Sequence, residues 1–154
     1  MKIMVSACLM GINCKYSARN NFCSEVYDFV ADYECVLVCP EQLGGLSTPR
    51  IPAEIVIEDD DRSVINKEGE DVTEEFVVGA EEALKIAIEE KIDFAILKDG
   101  SPSCGVNTIY DGTFTGVKNN NNGIFAELLE KNGVICFDEK EIINGIFKNK
   151  EENK

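Results

Sequence analysis

Short β-branched runs alternate along the chain with stretches whose apolar residues recur at helical spacing. Residues 2–8 (KIMVSAC) form an apolar run that closes near Gly11 and predict a first strand. Val26, Phe29 and Val30 recur at helical spacing within residues 24–33 and predict a helix. Residues 35–39 (CVLVC) are β-branched and apolar and stop at Pro40, as a second strand would. The Gly and Pro content of residues 42–50 predicts a loop. Residues 53–57 and 63–66 flank the acidic stretch 58–61 and suggest a hairpin or an excursion from the sheet. Thr73 fits a helix N-cap, followed by Glu74 and Glu75, with Phe76, Val77, Ala80, Leu84, Ala87 and Ile88 on one face. Phe94–Leu97 predicts a third strand, 99–116 a long polar loop and 123–132 a helix with Gly133 at its C-terminal stop. A fourth strand over 134–137 and a terminal helix over 139–148 complete the pattern.

Strands alternating with amphipathic helices imply an α/β fold of three layers, with a mostly parallel sheet and helices on both faces. This Rossmann-like, single-domain reading spans residues 1–154, ordered to about 148, with 149–154 a frayed tail. In such a sheet the ligand crevice lies outside the carboxyl ends of the strands.

Composition narrows the chemistry. Lys and Arg number 15 against 29 Asp and Glu, a formal net charge of −14, which repels nucleic acid and acidic membranes. A small neutral or weakly charged molecule is the expected partner; the sequence does not specify an oligomeric state. No apolar run is long enough to span a membrane, and the N-terminus lacks a cleavage-site pattern, so a cytoplasmic location is expected. The chain holds 7 cysteines and no histidine, which excludes Ser–His and Cys–His machinery and any His-bearing zinc site. An odd cysteine count in a non-secreted chain argues against a disulfide framework.

Cys8 ends the first predicted strand, Cys39 ends the second, and Cys104 lies in the loop after the third. A parallel sheet brings those three positions to one edge, the pattern of a soft metal or an iron–sulfur cluster. Cys136 and Cys35 fit the core, and Cys23 a structural place beside the first helix. Cys14, six residues after Cys8, is open between a fourth ligand, a redox partner and a sulfur acceptor. Glu41 stands two residues after Cys39, where a carboxylate at a crevice mouth could move protons. The tight loop 101–105 (SPSCG) offers hydroxyls to a substrate, and no dinucleotide or P-loop fingerprint is present.

Four segments in order, VSACLMG at 5–11 with Cys14, CPEQLGGLSTPRIPAE at 39–54, SPSCG at 101–105 and GTFTG at 112–116, resemble the thiouracil desulfidase family. The likeness runs from residue 3 to about residue 138. It implies a 4Fe–4S cluster held by only three thiolates, Cys8, Cys39 and Cys104, with one iron open. By the same resemblance that iron takes up the sulfur of a thiocarbonyl, water supplies the oxygen, and sulfur leaves as hydrogen sulfide in a non-redox hydrolysis. Glu41 would move the protons and Ser101 would be the substrate-side hydroxyl, with Ser103 the second candidate. The substrate would be a thiolated nucleobase or nucleoside, and a cluster open at one iron would be oxygen-sensitive. Lys15, Tyr16, Ser17 and Ala18 stand where relatives carry an Arg–Tyr–Asp–Gly-like turn, and Lys98, Asp99 and Gly100 precede SPSCG; these differences bear on the substrate more than on the cluster. The competing classes are a cysteine-based redox or persulfide enzyme with Cys8 and Cys14 as its pair, a non-catalytic module that binds iron–sulfur or sulfide, and a structural zinc–thiolate site.

Overall fold

The computed structural model describes residues 1–145; the end of the predicted terminal helix and the predicted frayed tail lie outside the described residues. The chain runs β1 (Lys2–Ser6), a 3-10 turn (Ala7–Met10), α1 (Ser24–Val30), β2 (Glu34–Val38) and a short α2 (Pro40–Leu43). The hairpin β3 (Ala53–Glu58) and β4 (Asp61–Asn66) leads into α3 (Thr73–Glu89) and β5 (Phe94–Leu97). A small hairpin, β6 (Ile109–Tyr110) and β7 (Lys118–Asn119), precedes α4 (Ile124–Lys131), β8 (Ile135–Asp138) and α5 (Glu139–Ile143).

The main sheet has the order β2-β1-β5-β8, and every neighbouring pair is parallel. Alternation along the strands sends Ile3, Val5, Phe94, Ile96 and Phe137 to the face covered by α1 and α5. Met4, Ala95, Leu97 and Cys136 point to the opposite face, under α3 and α4. Covered on both sides, β5 reads FAIL and is buried throughout. Phe94 and Phe137 meet edge to face at 5.6 Å, fixing β5 against β8. The three-layer parallel architecture expected from the pattern is therefore the one adopted. From β1 the chain moves outward to β2, then crosses back over β1 to β5, so the order reverses between β1 and β5 and opens a crevice at their carboxyl ends.

Local departures from the pattern have identifiable causes. Cys8 does not end a strand; it lies on the 3-10 turn that follows β1. The predicted loop 42–50 starts inside α2, which begins at Pro40 because its missing N–H costs nothing at the first helical position. Thr73 is the first residue of α3 rather than its cap, and its hydroxyl accepts the Val64 N–H at 2.8 Å, tying α3 to β4. The loop after β5 contains β6 and β7, and α5 is closed by a capping box between Asp138 and Glu141. Among the described residues no helix is long and apolar enough to cross a membrane.

Helices α2 and α3 pack backbone to backbone. A Cβ built on Gly79 would sit 1.9 Å from the Pro40 carbonyl oxygen, and one on Gly44 would sit 1.9 Å from that of Glu75. These two glycines set how closely α2, which carries Glu41, lies against α3.

Candidate active site

The crevice is a cavity of about 460 Å³ lined by Cys8, Cys14, Cys39 and Cys104 together with Glu41, Ser101 and Ser103. Each thiol is delivered by a different device. The 3-10 turn after β1 presents Cys8, and Cys39 is the N-cap residue of α2. Cys104 belongs to the loop 101–105, which is clamped on the start of α4: the carbonyls of Pro102 and Ser103 accept the first amides of Ile124 and Phe125, both at 2.9 Å. Loop carbonyls thus satisfy helix donors that would otherwise be orphaned, and this holds Ser103 and Cys104 in place. Gly123 permits the approach, since a Cβ there would lie 2.6 Å from the Ser103 carbonyl.

The thiols differ in electrostatic setting. Burial pushes the Cys104 thiol up to about 12, against hydrogen bonds with Ser6 and Ser103. Burial also raises Cys8, against a hydrogen bond from Asn21 whose amide nitrogen lies 3.5 Å from the sulfur. Cys39 is held down to about 7, chiefly by its hydrogen bond with the Cys14 thiol, while the same bond and burial push Cys14 up. Metal binding drives protons from thiols. Among the described residues no three Cys, Asp or Glu side chains are grouped to hold a single metal ion, so three thiols bordering one cavity suit a soft polynuclear iron–sulfur group whose irons would take one thiolate each.

Beside the thiols runs a polar chain. Ser103 donates to Oε2 of Glu41 at 2.9 Å, and Nε of Arg50 donates to Oε1 at 3.1 Å. Ser101 Oγ lies 3.0 Å from Ser103 Oγ and accepts the amides of Ser103 and Cys104 at 3.2 and 3.0 Å. A hydroxyl has one proton, so with that of Ser103 on Glu41, the proton of Ser101 points to Ser103. Arg50 also reaches the Cys14 carbonyl with Nη2 at 2.8 Å. That carbonyl in turn accepts from the Cys39 thiol at 3.6 Å.

All five primary sequence candidates, Cys8, Cys39, Cys104, Glu41 and Ser101, border this cavity, as do Cys14 and Ser103. Cys136 lies in the core under α3 and α4, whereas Cys23 and Cys35 are half-buried at the edge of the other core. Sequence reasoning did not single out Arg50, although it lies within the motif at 39–54. Also missed were the lining residues Glu54, Tyr110 and Phe114. Lys98 forms an ion pair with Glu139 at 3.0 Å, and Asp99 holds both Lys118 and Lys140 at 2.9 Å.

Comparison with known proteins places this arrangement among relatives. Residues 3–141 match the family model described as 2-thiouracil desulfurase. The chain is 40% identical over 146 residues to the uncharacterized protein YbbK of Bacillus subtilis (strain 168), covering 91% of this chain and 97% of that protein. It also matches a solved structure of a [4Fe-4S]-dependent thiouracil desulfidase, TudS, with a TM-score of 0.83, 41% identity and 93% of each chain covered.

Proposed function

The chain belongs to the 2-thiouracil desulfurase family, and on that premise we propose that it is an enzyme that removes sulfur from thiouracil-like compounds at a 4Fe–4S cluster held by Cys8, Cys39 and Cys104. The observation that carries this reading is the hydrogen bond between Ser103 and Glu41 on the wall of the cavity that the three thiols border. It puts a proton acceptor and a hydroxyl beside the cluster position.

When bound, the cluster supplies a thiophilic iron with a coordination position open to a thiocarbonyl sulfur, since three thiolates leave one iron without a protein ligand. The remaining work belongs to the chain. Water replaces sulfur at the carbon, C=S plus H₂O giving C=O plus H₂S, so no electrons are gained or lost. Glu41 accepts a proton from that water and returns it to the departing sulfur. Arg50 and Ser103 hold its two oxygens, so the carboxylate is oriented before substrate arrives. Ser101, half-buried at the outer end of the chain, is assigned as the substrate-side hydroxyl. The net charge of −14 favours a free base or nucleoside over a thiolated nucleic acid.

A second reading has one observation in its favour. Cys39, lowered by its bond with Cys14, has the character of a nucleophilic thiol in a redox or persulfide enzyme. That reading leaves Cys8 and Cys104 without work.

Anaerobic purification with cluster reconstitution, iron and sulfide analysis and incubation with 4-thiouracil separates the two. About four irons per chain, the content of one 4Fe–4S cluster, with uracil and sulfide as products, supports the desulfidase. The same iron content without turnover keeps the cluster and reopens the substrate. An iron-free chain after reconstitution overturns the proposal in favour of thiol chemistry.

A further inference from the structure

We propose that Phe114 is a specificity-determining residue, its ring forming the stacking face for the planar thiolated base; this rests on the desulfidase reading above. Phe114 lies at the tip of the β6–β7 hairpin and lines the thiol cavity. Its φ is +58°, a left-handed conformation that a bulky side chain avoids unless its surroundings impose it.

The surroundings do impose it. Glu54 on β3 accepts the amides of Gly112 and Phe114 on one carboxylate oxygen, at 3.0 and 3.1 Å. Asp111 accepts the Thr113 amide at 2.9 Å and its own amide donates to the Val117 carbonyl at 2.9 Å. Gly112 has φ +93°, and a Cβ there would lie 2.8 Å from the Ile55 carbonyl, so the tip is pressed onto β3. Held conformations of this kind mark positions where the fold commits a side chain to a task.

Three aromatic residues line the cavity, and two already have partners. Lys15 sits over the Tyr16 ring at 5.5 Å and Lys118 over the Tyr110 ring at 5.1 Å. Among the described residues Phe114 meets no other aromatic ring and no cation, so of the three rings it is the one not already held by such a contact. A pyrimidine ring is planar and offers its π-face whatever its substituents, and stacking would fix the ring plane while the thiocarbonyl edge points at the thiols.

The test compares the reconstituted wild type with Phe114→Leu and Phe114→Tyr, reading iron content, the kcat and KM for 4-thiouracil, and equilibrium binding of uracil. Uracil carries no sulfur and reports binding apart from turnover. Stacking predicts that Phe114→Leu keeps its iron, weakens uracil about tenfold and raises KM by a similar factor, while Phe114→Tyr restores both. Wild-type KM and uracil affinity in Phe114→Leu, or a loss confined to kcat, would overturn the inference and leave the desulfidase standing. A wild type that holds iron yet does not convert 4-thiouracil reopens the substrate of the desulfidase reading, and the uracil-binding comparison then decides the inference by itself.

Discussion

Ser103 on the loop after β5 and Glu41 on α2 are 62 residues apart in sequence and share a hydrogen bond of 2.9 Å. The bond joins the element that carries Cys104 to the element that starts at Cys39. The proposed proton-handling groups and two of the three proposed cluster ligands are therefore one mechanical unit, and changes to either residue test the site directly.

Glu41→Gln keeps the shape and an acceptor for Ser103 but cannot take up a proton. We expect full iron content and turnover reduced by about 10²–10⁴-fold. Ser103→Ala leaves the carboxylate in place on Arg50 and should cost kcat less. Iron analysis beside single-turnover kinetics checks both, and full activity in Glu41→Gln would remove it from proton transfer.

Cys8→Ala, Cys39→Ala and Cys104→Ala should each abolish iron binding. Cys136→Ala, under α3 and α4, should retain it and lose about 1 kcal/mol of stability from the vacated volume. Cys14→Ala is expected to retain iron as well, because Cys14 serves Cys39 as a hydrogen-bond partner and Arg50 through its carbonyl, neither of which is ligation. An iron-free Cys14→Ala would make it a fourth ligand and close the open iron.

Most of this frame was legible because it rests on patterns that repeat over several residues. FAIL and CVLVC announce buried strands, and once the strands are parallel, the convergence of Cys8, Cys39 and Cys104 follows from topology. What stayed hidden depends on single contacts across the fold. Nothing in SPSC says that Ser103 rather than Ser101 meets Glu41, since that is decided by how the loop seats on α4. Pro40 looked like a stop and is a helix start. The grip of Glu54 on Gly112 and Phe114 spans up to 60 residues, and neither segment signals the other.

Gly79→Ala tests the close packing of α2 on α3. In an ordinary helix interior this change stabilises by up to about 1 kcal/mol. Here the new methyl would collide with the Pro40 carbonyl, so the sign should reverse, with about 1–3 kcal/mol lost in urea unfolding. Glu41 moves with α2, so kcat should fall although residue 79 lies outside the cavity. A stabilised and fully active variant would show that α2 is free to shift.

Stability at low pH should depend on Asp99. Burial alone would raise its carboxyl, but hydrogen bonds from Lys140 and Lys118 outweigh burial and hold it below the usual value. A depressed folded value means the contribution is present above the unfolded value of about 3.9 and is lost as pH falls through the folded one. Asp138, raised by burial, works in the opposite direction over the mildly acidic range. Asp99→Asn should therefore lower the urea midpoint at pH 7, with the gap to wild type narrowing toward pH 3. A gap that does not narrow would assign the loss to packing instead.

Arg50→Lys asks whether the guanidinium is used for its charge or for its shape. Its side chain is 6% exposed, with Nε on Glu41, Nη2 on the Cys14 carbonyl and Nη1 on the Thr48 hydroxyl at 2.9 Å. A lysine ammonium places its donors at one point and cannot span three acceptors. We expect a folded chain with normal iron content and kcat reduced by about tenfold or more, the result for a carboxylate that has lost its orientation. Arg50→Met, which leaves the half-buried Glu41 without its cation, should cost about 1–3 kcal/mol in urea unfolding. If Arg50→Lys loses iron in place of kcat, the contact that matters is the Cys14 carbonyl, which also receives the Cys39 thiol at 3.6 Å, and Arg50 then acts on cluster assembly rather than on the proton acceptor.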